Sequence, residues 1–142
     1  MKIFLDTSSL IKLYHFETGT DYLDKIFETN TITEIFLSDL AKVEFVSAIW
    51  KKVRTKDLTD TEATNIIASF NNDYDNYSFI DLDSDLVLSA RELIDKYGLK
   101  GLRTLDSLQL ASIINVKSEL TFAITADELL RRLIELEGVQ TK

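Results

Sequence analysis

The chain has 142 residues, of which 45% are hydrophobic and 28% are charged, a balance typical of globular proteins, and we expect residues 1–142 to form one domain. Its lack of cysteine and its single histidine exclude disulfides, zinc–thiolate sites and multi-histidine metal centres. The net charge of −8 argues against non-specific nucleic-acid binding, although acids that hold metal ions also contribute to that charge. No apolar run approaches the about 20 residues of a membrane span and no secretory pattern opens the chain, so we expect a cytoplasmic protein.

Short apolar runs alternate with capped, amphipathic segments along the chain. The first run, Lys2 to Leu5, predicts a buried strand that ends just before Asp6. In chain order, we predict a strand at 2–5, helices at 8–16 and 21–28, a strand at 35–37, helices at 38–54 and 59–72, a strand at 77–81, helices at 84–97 and 104–116, a strand at 120–124, a helix that opens at 125–128 and ends near 138, and an edge strand at 139–140. Apolar strands that alternate with helices predict an α/β fold, a three-layer α/β/α sandwich with a mainly parallel sheet of four to five strands.

Local signals set several of these boundaries. Residues 59–62 and 125–128 have the pattern of capping boxes, in which a Thr side chain opens a helix. Gly98 is a candidate C-cap for the helix at 84–97. In the helix at 21–28, we expect Tyr22 and Ile26 to point inward, with Leu23 as a further candidate.

Four acidic residues stand out by position. Asp6 and Asp127 follow predicted strands, where each could simply cap the next helix. Glu44 lies on an apolar, small-residue helix face, where a salt bridge or a position at the rim of the core is the alternative to a ligand role. Asp106 lies in a first helical turn, where it would complement the helix dipole. In a parallel sheet all four would share one rim, and a divalent cation would relieve their mutual repulsion.

The segments DTSSLIKLY, VEF, GLRTLDSLQLA and FAITAD, in this order, resemble the PIN-domain ribonucleases, in particular the VapC-type toxins of toxin–antitoxin pairs. The resemblance covers nearly the whole chain. It implies catalytic and metal-binding roles for the four acids at positions matching the family's: Asp6, Glu44, Asp106 and Asp127. It also implies substrate-binding roles for Ser8, Arg103 and Thr125.

The family further implies Mg²⁺ or Mn²⁺ as cofactor, an RNA substrate such as tRNA or rRNA, a homodimer and a cognate antitoxin. Water activated by the metal would then cleave a phosphodiester bond. Two departures from the family pattern, Ser107 for Ala and Gln109 for His, are expected to touch none of the acids. An antitoxin segment would contact apolar side chains near the first helices, although the same residues fit a core or a dimer interface: Leu10, Leu13, Tyr14 and Trp50.

Other interpretations have specific weaknesses. The acidic stretch 81–85 imitates a calcium loop, but Leu86 occupies the position that needs glycine. No glycine-rich turn follows the first strand, which argues against a dinucleotide site. A phosphatase would need a second Asp where Ser8 stands, and a receiver domain would leave Glu44 unexplained. Two alternatives stay open: a PIN-fold nuclease of RNA maturation or decay without an antitoxin, and a non-catalytic interaction module.

Overall fold

Four short strands form the central sheet, and the computed structural model describes it together with the rest of residues 1–142. Every strand pair is parallel, so each connection must cross the sheet through helical segments. The strands are β1 (Lys2–Leu5), β2 (Glu34–Ser38), β3 (Ser78–Ile80) and β4 (Phe122–Ile124). Their spatial order is β3-β2-β1-β4, and an isolated parallel bridge joins Thr141 to Ala123 at the β4 edge.

Seven α-helices flank this sheet. None of them combines the length and the apolar composition that crossing a bilayer requires. Two short 3₁₀ turns, Tyr74–Asn76 and Gly98–Lys100, lie between them. The helices are α1 (Thr7–Ile11), α2 (Thr20–Thr29), α3 (Ala41–Arg54), α4 (Asp60–Asn72), α5 (Ser84–Tyr97), α6 (Thr104–Asn115) and α7 (Glu128–Leu136).

The two faces of the sheet carry separate hydrophobic cores. Successive strand residues point to opposite faces, so Ile3 and Leu5 of β1 pack with α1 to α4, while Phe4 packs with α5 to α7. All three side chains are fully buried. The predicted three-layer α/β/α sandwich with a parallel four-stranded sheet is therefore confirmed.

The first helix is shorter than predicted. It ends at Ile11, and the following residues form turns in which the N–H of Leu13 bonds the Leu10 carbonyl and the N–H of Tyr14 bonds the Ile11 carbonyl. The turn brings the Tyr14 ring against two core aromatic rings, those of Phe45 and Phe70. Tertiary packing therefore overrides the helical pattern that extended to residue 16.

Several local predictions have mixed outcomes. Thr59 caps α4 as predicted, because its hydroxyl accepts the N–H of Glu62. The predicted inward orientation is confirmed for Leu23 and Ile26, which are buried, and is wrong for Tyr22, which is 57% exposed. Gly98 is the C-cap of α5 as predicted, in the right-handed conformation, and it begins the 3₁₀ turn Gly98–Lys100, after which Gly101 has a φ of 101°.

The last capping box and the edge strand also differ from expectation. Asp127, not Thr125, is the N-cap of α7, since its Oδ1 accepts the N–H of Leu130. The predicted edge strand at 139–140 reduces to the single bridge between Thr141 and Ala123. Thr125 is consequently free for a different contact, described next.

Candidate active site

The carboxyl ends of β1 and β4 lie side by side and bring Asp6 next to Thr125. The register pairs Leu5 with Ile124, and the N–H of Asp6 continues the ladder by bonding the Ile124 carbonyl at 3.2 Å. One residue later, the Thr125 hydroxyl donates to Asp6 Oδ2 at 2.5 Å. Two neighbouring parallel strands thus fix the position of the first carboxylate.

Asp6 is a buried carboxylate that is almost saturated with donors. Its exposed fraction is only 5%. Oδ1 accepts the N–H of Ser9 at 2.8 Å, which caps α1, and the Ser8 hydroxyl lies 2.8 Å from both oxygens. A carboxylate has about four lone-pair sites, and with Thr125 these groups supply three protons, so one site stays open. Burial raises the pKa of Asp6, and these hydrogen bonds oppose the shift.

Glu44 reaches the same region from α3 and joins a closed ring of hydrogen bonds. Its Oε1 accepts the Thr7 hydroxyl at 2.9 Å and the Gln109 Nε2 amide at 2.7 Å. Gln109 Nε2 also donates to Thr7 Oγ1 at 3.1 Å, which closes the ring. Oε2 makes no hydrogen bond, and Glu44 forms no salt bridge, so the salt-bridge alternative is wrong.

Burial raises the pKa of Glu44, and the negative charges of Asp6 and Asp106 raise it further. Hydrogen bonds from Gln109 and Thr7 act in the opposite direction, because they favour the ionised form. Asp6 and Asp106 are therefore close enough to Glu44 for their negative charges to disfavour its ionised form.

The expectation that the two departures from the family pattern touch no acid is wrong for one of them. Ser107 donates to the Thr104 carbonyl at 2.7 Å and leaves the acids alone. Gln109, by contrast, contacts Glu44 directly, and its own Oε1 is buried without a partner. Its spacing was the available signal, since Gln109 lies three residues after Asp106 and therefore on the same helix face.

Asp106 differs from Asp6 because nothing holds its carboxylate. It is half-buried in the first turn of α6 and makes no hydrogen bond. Burial raises its pKa, the charge of Asp127 adds to the rise, and the Arg103 guanidinium opposes it. Arg103 is exposed at the N-cap of α6 and forms no salt bridge.

Asp127 is exposed at the start of α7, where one oxygen serves as the helix cap. Its N–H donates to Thr125 Oγ1 at 3.1 Å, so the same threonine links Asp6 to the last acid. Helix capping and site membership are therefore not alternatives for Asp6 and Asp127. Each uses one oxygen as a cap while its residue lines the cleft.

These residues surround one open cleft of about 320 Å³ at the carboxyl edge of the sheet. All four acids named from the sequence line it, together with Ser8 and with Thr7 and Gln109, which were not predicted to be site residues. Arg103 lies beside it, lining an adjoining depression with Glu44 and Asp106. The lining residues of the cleft are Asp6, Thr7, Ser8, Glu44, Asp106, Gln109, Ala126, Asp127 and Leu130.

The donor chemistry of this cleft fits a hard divalent cation. Only oxygen ligands are present, neighbouring carboxylates raise the pKa of Glu44 and that of Asp106, and the Asp106 carboxylate and Glu44 Oε2 are free of protein donors. No three carboxylates stand close enough to form a ligand set by themselves. Mg²⁺ nevertheless suits such a cleft, because it typically keeps several waters and uses only one or two carboxylates.

The other residues considered from sequence lie outside the cleft. Leu10 is fully buried, so its suggested role as an antitoxin contact is wrong, whereas Trp50 is 37% exposed. In the acidic stretch 81–85, Asp83 caps α5 through the N–H of Leu86.

Comparisons with known proteins agree with this architecture. The family model for the PIN domain matches residues 3–136. A crystal structure of the toxin VapC20 of Mycobacterium tuberculosis, described as cleaving the sarcin–ricin loop, superposes with a TM-score of 0.70 at 15% identity, covering 96% of this chain and 95% of that one. A comparison with curated protein sequences gives no significant match.

Two further structures are similar to this chain over almost its whole length. FitAcB of Neisseria gonorrhoeae has a TM-score of 0.69 at 12% identity, covering 98% of this chain and 95% of that one. VapBC2 of Rickettsia felis, bound to a promoter DNA fragment, has a TM-score of 0.65 at 14% identity, covering 100% and 98%. At such identities the likeness establishes the fold, and the family model establishes membership. The chain belongs to the PIN-domain family.

Proposed function

We propose that this protein is a metal-dependent endoribonuclease that acts as the VapC-type toxin of a toxin–antitoxin pair. The observation that carries the proposal is the convergence of Asp6, Glu44, Asp106 and Asp127 on one cleft. The chain has no cysteine, and its single histidine does not line this cleft, so the cleft offers carboxylate chemistry without a thiol or an imidazole.

Asp6 and Asp106 are the residues that would hold Mg²⁺ or Mn²⁺ most directly, with Asp127 and Glu44 bound directly or through water. A bound divalent ion would supply a more acidic water and charge stabilisation at the scissile phosphate. Asp6 suits a fixed ligand because its neighbours hold it in one orientation. Asp106 suits an adjustable ligand because no protein donor restrains it.

The remaining cleft residues have separate tasks in this proposal. Glu44 Oε2 is the free oxygen that can accept a proton from the attacking water, and the raised pKa of Glu44 makes it a better base. The Arg103 guanidinium is available for a phosphate because no carboxylate pairs with it. We reassign Ser8 and Thr125 from substrate binding to positioning, since both hydroxyls donate to Asp6.

The proposed partners are an antitoxin and a second copy of this chain, in the cytoplasm. Support for the antitoxin comes from a further similar structure, which is described as a toxin–antitoxin complex from Klebsiella pneumoniae. Support for a contact surface comes from apolar side chains left exposed on the helices, among them Val43 and Trp50 of α3. A short adjacent gene for a DNA-binding protein would favour this proposal over a PIN nuclease of RNA maturation or decay.

Cleavage of RNA by the purified chain is the direct test. With Mn²⁺, the parent should cut bulk tRNA, rRNA or a sarcin–ricin-loop hairpin, and EDTA should stop the reaction. Asp106→Asn should reduce cleavage at least a hundredfold, because the adjustable ligand is lost while no hydrogen bond of the fold is broken.

Asp85→Asn is the matched control, since Asp85 is an exposed first-turn acid of α5 and lies outside the cleft. It should cleave like the parent. A folded Asp106→Asn protein that cleaves at the parental rate would contradict the proposal. Absence of any metal-dependent cleavage, with no response of stability to metal, would favour the interaction-module alternative.

A further inference from the structure

A second, smaller cavity of about 260 Å³ shares a wall with the carboxylate cleft. It lies between α1, the turn before α2 and the carboxyl end of β4. Ala126 lines both spaces, and Thr125, whose hydroxyl bonds Asp6, belongs to the shared wall. None of the roles assigned above uses this cavity.

The cavity has an apolar interior and an unpartnered aromatic ring among its lining residues. Leu23 and Ile124 are almost fully buried, with exposed fractions of 2% and 5%, whereas Tyr22 is 57% exposed. The Tyr22 ring packs on no other aromatic ring, and its hydroxyl makes no hydrogen bond. Each of the other four tyrosines has such a partner: Tyr14, Tyr74, Tyr77 and Tyr97.

Positive charge borders this cavity in an otherwise acidic chain. Lys142 lines it and has no carboxylate partner, since its Nζ lies 3.3 Å from the amide oxygen of Asn30. Lys12 also lines it and shares the single carboxylate of Glu17 with Lys52, so two positive charges face one negative charge. The neighbouring acid of Tyr22, Asp21, is not among the lining residues.

We propose that this cavity is a nucleobase subsite that takes the base next to the scissile phosphate. An exposed aromatic ring beside an apolar hollow and an ammonium group without a carboxylate partner is the combination that binds a planar base carrying a phosphate. Tyr22 stacks on the base and Lys142 faces the phosphate. Because the cavity and the carboxylate cleft share a wall, an RNA chain with one phosphate at the carboxylates has its neighbouring nucleotide at this cavity. The identity of the ligand rests on the proposed function.

The test titrates the full chain with each of the four nucleoside 5′-monophosphates, without divalent metal, and follows backbone amide chemical shifts. The matched ligand without a base is ribose 5-phosphate. The nucleotides should shift the amides of residues 18–23 and 124–126, and ribose 5-phosphate should leave most of them unchanged. Equal shifts with ribose 5-phosphate would overturn the base subsite in favour of a phosphate site.

No shift at these amides with any of the four nucleotides would also overturn the proposal and leave the cavity to an apolar side chain of a protein partner. Cleavage is not needed for this measurement, so it separates the two proposals. Nucleotide-specific shifts in a chain that fails to cleave RNA would support the subsite and contradict the nuclease.

Variants then assign the contacts. Tyr22→Ala should weaken nucleotide binding about tenfold, the loss expected for one stacked base, while Tyr22→Phe keeps the ring and the affinity. Both variants should fold, because the side chain is 57% exposed. Lys142→Ala should weaken binding, whereas Lys117→Ala, beyond the C-terminal end of α6, should not. Equal affinities of Tyr22→Ala and the parent would overturn the assignment.

Discussion

Two of the clefts that carboxylates line differ in what surrounds the acids. The larger, of about 440 Å³, lies among α5, α6 and the end of α7, and includes Glu137 and Lys96. There Glu137 pairs with Lys96 at 2.6 Å. Burial acts to raise the pKa of Glu137, but the hydrogen bonds from Lys96 and Tyr97 outweigh it and lower that pKa.

In the cleft at the carboxyl edge of the sheet, the pKa values of Asp6, Glu44 and Asp106 are all raised instead. Burial is the main cause in each, and no lysine or arginine forms an ion pair with any of them. The difference indicates that size and acid content do not identify a functional cleft. Buried or half-buried carboxylates with raised pKa values and no compensating cation distinguish the candidate site, because a cation from solution can then bind them.

The largest predicted effect is stabilisation by metal. At a Mn²⁺ concentration 100 times its Kd, the parent should gain about 2.7 kcal/mol in unfolding free energy by mass action. Asp106→Asn should lose most of this gain, and Glu137→Gln, in the other cleft, should keep it. Thermal unfolding with and without Mn²⁺ measures both. An equal rise in the unfolding temperature of Asp106→Asn and of the parent on addition of Mn²⁺ would contradict the proposed difference between the clefts.

Next in size is the loss of the Gln109 amide. Gln109→Leu should cost about 1–3 kcal/mol of unfolding free energy, because it removes donors to Glu44 and Thr7 inside the structure. Denaturant unfolding of this variant, of Glu44→Gln and of the double variant measures the coupling. A coupling energy near zero would show that the ring of hydrogen bonds does not stabilise Glu44.

Glu137→Gln should have a smaller effect, a loss of less than about 1 kcal/mol at neutral pH, since its ion pair is partly screened by solvent. The lowered pKa of Glu137 means that its contribution is present above the unfolded pKa of about 4.3 and disappears as pH falls through the folded value. Unfolding curves of parent and variant at several pH values should therefore converge in acid. A difference that persists at the lowest pH would contradict this prediction.

Asp106→Asn should have the smallest effect, and it should stabilise the metal-free protein. We expect a gain of about 0.5 kcal/mol in unfolding free energy at neutral pH, after allowance for solvent screening. The pKa of Asp106 is higher in the folded protein than its value of about 3.9 in the unfolded chain. Asp106 therefore stabilises the folded protein at pH values below about 3.9, and this contribution is lost as pH rises through the folded pKa. The gain over the parent should thus grow with pH. Denaturant unfolding in EDTA measures it, and a loss of stability at neutral pH would contradict the raised pKa of Asp106.

The alternation of apolar strands and capped helices was enough to predict the parallel sheet and its two helical layers. Ile3, Phe4 and Leu5 show the reason. Consecutive apolar residues are expected in a strand whose two faces are both buried, and such a strand requires a sheet that helices cover on both sides. The acids could be proposed as one site because the carboxyl ends of parallel strands lie at the same edge of the sheet. Their positions in the chain therefore implied a common cleft, and all four line it.

Only the tertiary structure decided how each acid is held. Thr125 resembles a helix cap in sequence, but the pairing of β1 with β4 turns its hydroxyl toward Asp6. Gln109 joins Glu44 only because α3 and α6 meet at the cleft, a contact between residues 65 positions apart. Likewise, Tyr14 shortened the first helix by packing into an aromatic core. Local patterns report on neighbours three or four residues away, whereas these contacts depend on how distant elements pack.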